Sequence, residues 1–165
     1  MMGIRSSICH VYNVMHDDIA YLELWDRLFP EDKSMHILTV LDFNDAKREV
    51  SGFKEYIRGR RVVELGAGVG LLAYEMSKYA GLVVAVEFDP AWARIYLKHV
   101  YPRVLAKKLP LFFIVGDVRY LDLLNTRFDT AVIYSNSALD IFLNIANKIS
   151  NKTILNGKVI EYVKG

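Results

Sequence analysis

Two hydrophobic periods divide the chain. Up to about residue 60, apolar positions recur every three or four residues, the spacing of helices with one buried face. Ile19, Leu22, Leu24 and Leu28, with Trp25, form such a stripe over residues 16–29, and Pro30 ends it. Residues 35–41 are a short apolar run that fits either a strand or a helix. Phe43, Ala46, Val50, Phe53 and Ile57 predict a helix over residues 44–58. Asn44 is placed to cap it and Gly59 to close it.

Beyond residue 60 short apolar runs alternate with helical stretches. Strands are predicted at 61–65, 82–86, 111–115, 130–134 and 158–163. Helices are predicted at 71–79, at 91–99 behind Pro90, and at 138–149, where Ile141, Phe142, Ile145 and Ile149 share one side. Strands separated by helices mean right-handed βαβ crossovers and a mainly parallel, doubly wound sheet of about five strands. Several strands are apolar throughout, as expected when both faces of the sheet are covered. The division predicts a helical N-terminal extension over residues 1–58, packed on an α/β core over residues 59–165.

Composition narrows the class. With 53% apolar and 24% charged residues, the 165-residue chain is a folded domain and not a disordered segment. It contains no apolar run of the ~18 residues that cross a bilayer. No secretory leader is visible, and one cysteine cannot form an internal disulfide, so a cytoplasmic protein without a membrane partner is expected. The net charge of +2 does not by itself argue for nucleic acid. The charge is uneven, with 8 basic and 10 acidic residues over residues 1–60 and 13 against 9 over residues 61–165. Arg103, Lys107, Lys108, Arg119 and Arg127, with Tyr101 and Tyr120, could hold an RNA backbone. Cys9, His10 and His16 match no metal-ligand spacing, so no metal is expected.

The chemistry centres on Glu64-Leu65-Gly66-Ala67-Gly68-Val69-Gly70, between the first predicted strand and the helix after it. Glycines there permit a tight turn and direct backbone contact with a ligand, and the helix offers unpaired N–H groups. A nucleoside or nucleotide at the carboxyl end of the first strand is the natural ligand. The dinucleotide pattern would need Gly or Ala at position 71, where Leu stands, and no phosphate-loop Lys follows.

Four segments together carry a resemblance: Val63 to Gly70, Val84 to Asp89, Ile114 to Val118, and Phe128 to Tyr134. In order and interval they resemble the motifs of the class I S-adenosylmethionine-dependent methyltransferases, over about residues 45–165. The resemblance implies a three-layer, Rossmann-like methyltransferase fold with S-adenosylmethionine as cofactor. It implies that Gly66, Ala67, Gly68 and Gly70 pass under the amino-acid part of the cofactor, with Glu64 near its amino group. Glu87 would accept from both ribose hydroxyls and Phe88 would lie on the adenine face. Asp117 would accept from the adenine amino group, and the Val118 N–H would reach a ring nitrogen.

Each position also has a purely structural reading. Asp89 before Pro90 is a good helix cap, Asp117 could be only a cap, and Phe88 could be core. The acceptor side would follow the fourth strand, where Tyr134, Ser135 and Asn136 are the weak catalytic candidates. Asn136 could equally cap the next helix, and Tyr134 could pack beneath it. The acceptor is not written in the sequence, and a protein or RNA is favoured over a small molecule. A seven-strand family core would leave the edge at the fourth and fifth strands open here, for a second copy or a partner subunit to cover. The alternatives are a non-catalytic cofactor-binding module that needs a partner, and an aminopropyltransferase-like enzyme, for which only Asp140 is available to hold a polyamine.

Overall fold

A computed structural model of the chain describes residue 40 and residues 42–135 and 138–161. The helix predicted at 16–29, most of the run at 35–41, the Cys9–His10–His16 group and Asn136 lie outside the described residues. The helix α1 spans Phe43–Phe53. Its cap is Asp42, whose carboxylate accepts from the Asp45 N–H at 2.7 Å, so the capping residue stands two positions before the Asn44 expected from sequence. A 3-10 turn, Lys54–Tyr56, follows, and Gly59 at φ +68° leads into β1, Arg61–Leu65.

The remaining elements are α2 Leu71–Met76, β2 Leu82–Glu87, α3 Pro90–Ile95, α4 Tyr101–Lys107, β3 Leu111–Val115, β4 Phe128–Ile133, α5 Leu139–Ile149, β5 Ser150–Leu155 and β6 Lys158–Glu161. A π-helical turn, Tyr96–Val100, joins α3 to α4 and carries the helix beyond the end predicted at residue 99. A 3-10 helix, Val118–Leu124, stands between β3 and β4.

The sheet has six strands in the order β3-β2-β1-β4-β5-β6. The first five are parallel, and β6 returns antiparallel to β5 through the Asn156-Gly157 turn. Two expectations are corrected. The fifth strand is Ser150–Leu155, and the segment expected to be fifth is the sixth. The β4–β5 edge is therefore not open, because β5 and then β6 continue the sheet beyond β4. Sequence reading missed β5 because it begins immediately after α5 with no loop and opens on polar Ser150, Asn151 and Lys152.

Alternating strand positions feed two cores, which produces the three layers. Val62, Val83, Ala85, Val132 and Ile154 pack beneath α1 to α4. Val63, Leu65, Val86, Ala131 and Ile133 pack beneath α5 and the 3-10 helix. Each fully buried aliphatic side chain is worth roughly 1.5–3 kcal/mol, so the two cores fix the strand ends as a rigid platform. The strand order reverses between β1 and β4, which opens a crevice at their carboxyl ends. The glycine loop and the segment after β4 meet there.

Candidate functional site

Register places the end of β1 beside the ends of β2 and β4: Leu65 pairs with Val86 and with Ile133, and Glu87 pairs with Val115. The loop after β1 turns with Gly66, Gly68 and Gly70 all at positive φ, and its Gly66 and Ala67 N–H groups donate to the Val86 carbonyl at 2.9 and 3.0 Å. At Gly70 glycine is required twice over. Its φ is +82°, and a Cβ there would stand 2.6 Å from Cδ2 of Tyr96. Tyr96 is itself fixed by stacking on Phe113 at 4.0 Å, and burial pushes its hydroxyl up to about 12.

Glu64 lies beneath this loop with 2% of its surface exposed. One carboxylate oxygen, Oε2, has no hydrogen-bond partner. Burial holds the acid well above the usual carboxylate range, and the charge of Glu87 adds to this, while the Ala73 N–H in the first turn of α2 opposes it. An isolated buried carboxylate is costly unless something cationic or donating completes it. A cationic ammonium group suits that oxygen in chemistry. Glu64→Gln removes the charge with little change of shape. We expect it to leave thermal stability at pH 8 unchanged or raised, and to weaken binding of a cationic ligand about tenfold or more. Parallel melting and calorimetric titration check both halves.

Glu87 bridges two turns. Its Oε1 accepts from the Gly68 N–H at 2.7 Å and its Oε2 from the Asp89 N–H at 2.8 Å. Burial raises its pKa to about 7 in spite of these two donors. Each oxygen keeps lone-pair capacity for a further donor, so a vicinal diol fits. Asp89 is the N-cap of α3 and accepts from the Ala91 N–H at 2.8 Å, so the capping role falls to Asp89 and not to Glu87. Phe88 is 58% exposed beside them, available to a planar ligand and not buried in the core.

Asp117 and Val118 follow β3, where the Gly116 N–H donates to the Glu87 carbonyl at 2.8 Å. Asp117 caps the 3-10 helix by accepting from the Arg119 N–H at 3.0 Å, and its carboxylate also pairs with the Arg119 guanidinium. That guanidinium holds the Asp117 carboxyl below its ordinary range. Val118 is buried. The structure therefore realises the capping role of Asp117, and any ligand contact shares the carboxylate with Arg119.

After β4, Tyr134 packs against Phe53 of α1, and its hydroxyl donates to Oε2 of Glu49 at 3.0 Å. Burial and the Glu49 contact push the phenol above its ordinary range. Ser135 is gripped through its backbone: its N–H donates to the Asn156 side-chain oxygen at 3.1 Å, and its carbonyl accepts from the Asn156 amide nitrogen at 3.1 Å. Asn156 sits at φ +47° in the β5–β6 turn, a conformation Asn tolerates better than most residues. Sequence reading saw only a turn in Asn156-Gly157. It also missed Glu49, and Phe142 of α5, whose ring lies over Gly66. No local signal links residues this far apart. Asn156→Ala breaks both bonds to Ser135 and is expected to cost about 1–3 kcal/mol, with Asn156→Asp, which keeps one acceptor, losing less. Urea unfolding of the two variants tests this.

No family model matches the chain, and no curated protein matches it. Solved structures do match. One is a Pyrococcus horikoshii protein described provisionally as an RNA methyltransferase, 25% identical, with a TM-score of 0.56 over 68% of this chain and 58% of that one. The fold is that of the class I S-adenosylmethionine-dependent methyltransferases. TrmN from Thermus thermophilus is similar at 20% identity and TM-score 0.56, over 79% of this chain and 41% of that chain. The N-terminal domain of EvdMO1, solved with S-adenosylhomocysteine bound, is similar at 20% identity and TM-score 0.56, over 67% of this chain and 48% of that chain. The chain thus spans between two fifths and three fifths of these three solved structures. Among the described residues, no helix is long and apolar enough to cross a membrane.

Proposed function

We propose that this chain binds S-adenosylmethionine and transfers its methyl group to RNA. The observation that carries the cofactor half is the carboxylate pair around the glycine loop, with Glu64 buried and one of its oxygens unpartnered. Glu64 would take the cofactor's ammonium group, while Gly66, Ala67, Gly68 and Gly70 let its amino-acid part lie on backbone. Glu87 would hold the ribose hydroxyls, Phe88 the adenine face, and Asp117 and the Val118 N–H the adenine edge. The bound cofactor supplies an activated methyl group on a sulfonium.

The chain's own part is orientation in a site shielded from water. In the described acceptor segment, the Tyr134 hydroxyl is committed to Glu49 and the Ser135 backbone to Asn156. These contacts suit positioning better than proton abstraction. The RNA half is supported by the description of the Pyrococcus horikoshii structure and by the excess of basic residues after position 60. Incubation with methyl-tritiated S-adenosylmethionine and bulk tRNA, with a protein extract and a small-molecule filtrate in parallel, tests it. Label in the ribonuclease-sensitive fraction is expected, and label confined to either other fraction contradicts the RNA acceptor.

A further inference from the structure

The helical layer that covers β1 to β3 carries a line of cations seated on aromatic rings. The Arg103 guanidinium of α4 lies 4.4 Å from the Phe43 ring centroid, and Phe43 meets Tyr74 edge to face at 5.4 Å. Over Tyr74 stand two ammonium groups, Lys78 at 4.9 Å and Lys107 at 5.6 Å. Next along the chain from Lys78, Tyr79 carries Arg58 at 5.6 Å and Lys54 at 5.9 Å. Five cations thus stand on rings of this layer, two from α4 and three from the turns that follow α1 and α2.

Three features set this line apart from ordinary solvated lysines. First, the rings are buried or half-buried while four of the five cations are exposed and Lys54 is half-buried, so the charges are seated on rings and still reachable from solvent. Second, carboxylates neutralise only two of them: Glu55 pairs with Arg58 and Glu75 with Lys78. Lys54, Arg103 and Lys107 make no ion pair with any described residue. Third, the line passes close to the candidate cofactor loop, since Tyr74 stands in the first turns of α2, where its N–H donates to the Gly70 carbonyl at 2.9 Å.

We infer that this cation-on-ring surface holds the phosphate backbone of the RNA substrate, away from the nucleotide being methylated. The inference rests on the proposed methyl transfer to RNA and adds the surface that grips it. Cations seated on rings and reachable from solvent suit phosphates spaced along a strand, and each neutralised phosphate releases counterions. The rings lie under the cations, so they support charge and do not stack bases. Binding is therefore expected to depend on salt and little on sequence.

The test is fluorescence anisotropy of a fluorescein-labelled tRNA transcript with the full chain, over a series of salt concentrations. The Arg103→Glu/Lys107→Glu variant is expected to weaken binding at least tenfold and to lower the salt slope by about two. The Arg103→Gln/Lys107→Gln variant should show a smaller loss in the same direction. A control of equal charge change away from the rings, Lys148→Glu on α5 with Lys158→Glu on β6, should change the affinity less than twofold. Calorimetric affinity for S-adenosylmethionine should be unchanged in all three. Absence of RNA binding by the native chain, or equal losses in the test and control variants, overturns the surface assignment. Tighter binding to phosphatidylserine vesicles than to tRNA, lost in the same Arg103/Lys107 variants, also overturns it. Loss of S-adenosylmethionine binding by the native chain is separate, because it removes the cofactor reading while the anisotropy still reports on the surface.

Discussion

Raising the pH from 5 to 8 should destabilise the ligand-free chain, and Glu87→Gln should remove about 2.5 kcal/mol of that loss. The Glu87 carboxyl sits at about 7 in the folded chain, pushed up mainly by burial, against 4.5 in the unfolded chain. A raised folded-state value means the folded chain holds this proton more tightly. Stability from Glu87 is then full below pH 4.5 and is lost as the pH climbs through 7. At about 1.4 kcal/mol per unit, the whole difference is about 3.5 kcal/mol, of which about 2.5 kcal/mol is lost between pH 5 and 8. Glu64 is buried and raised in the same direction, so the Glu87→Gln variant keeps part of the slope.

The same carboxylate explains an opposite effect on binding. Ribose hydroxyls donate to the ionised form, so cofactor affinity should rise with pH across 7, and Glu87→Gln should weaken it by roughly 1–3 kcal/mol and flatten its pH dependence. Urea melts and calorimetric titrations at pH 6 and 8 check both effects. A native chain equally stable at both values would contradict the buried charge.

Gly70→Val is expected to be the most damaging single substitution in the loop. The backbone at φ +82° disfavours any side chain, and a β-branched one most. The new Cβ would meet Tyr96 at 2.6 Å and Phe113 at 3.3 Å, and the two rings are stacked on each other at 4.0 Å, so both must shift. Strain and overpacking together cost roughly 3–5 kcal/mol, a large part of the 5–15 kcal/mol that holds a typical domain together. Urea unfolding should show the loss, and the milder Gly70→Ala variant should fall between the two. A Gly70→Val variant as stable as the native chain would mean that the loop does not pass beneath Tyr96.

The fold was legible where period and punctuation agreed. Arg61–Leu65 and Leu111–Val115 are short apolar runs bounded by turn residues, and both strands fall where the sequence puts them. Ser150–Leu155 was not legible, because α5 passes into β5 without a break and its buried residues are Ser150, Thr153 and Ile154. A strand that owes its place to pairing on both sides need not advertise itself locally. The π-helical turn is another such case, since it carries the helix expected to end at residue 99 on into α4, whose first turn holds Pro102.

The glycine loop with Glu64 and Glu87 was visible as a spacing, since chemistry demands those residue types at strand ends. What the spacing could not show is that Glu87 bridges Gly68 and Asp89, or that Arg119 already occupies Asp117. The grip of Asn156 on Ser135 joins residues 21 apart in sequence and exists only once β4, β5 and β6 are aligned. Side-chain identity marks which residues can do chemistry, and strand register decides which of them meet.

The most direct measurement is calorimetric titration of the folded chain with S-adenosylmethionine, with NAD as the control. One-to-one binding of S-adenosylmethionine in the micromolar range, weakened in Glu64→Gln and absent for NAD, is the expected result. A chain that melts cooperatively yet takes up no S-adenosylmethionine, or that binds NAD equally well, would contradict the assignment of the Glu64–Gly70 loop and Glu87 to this cofactor.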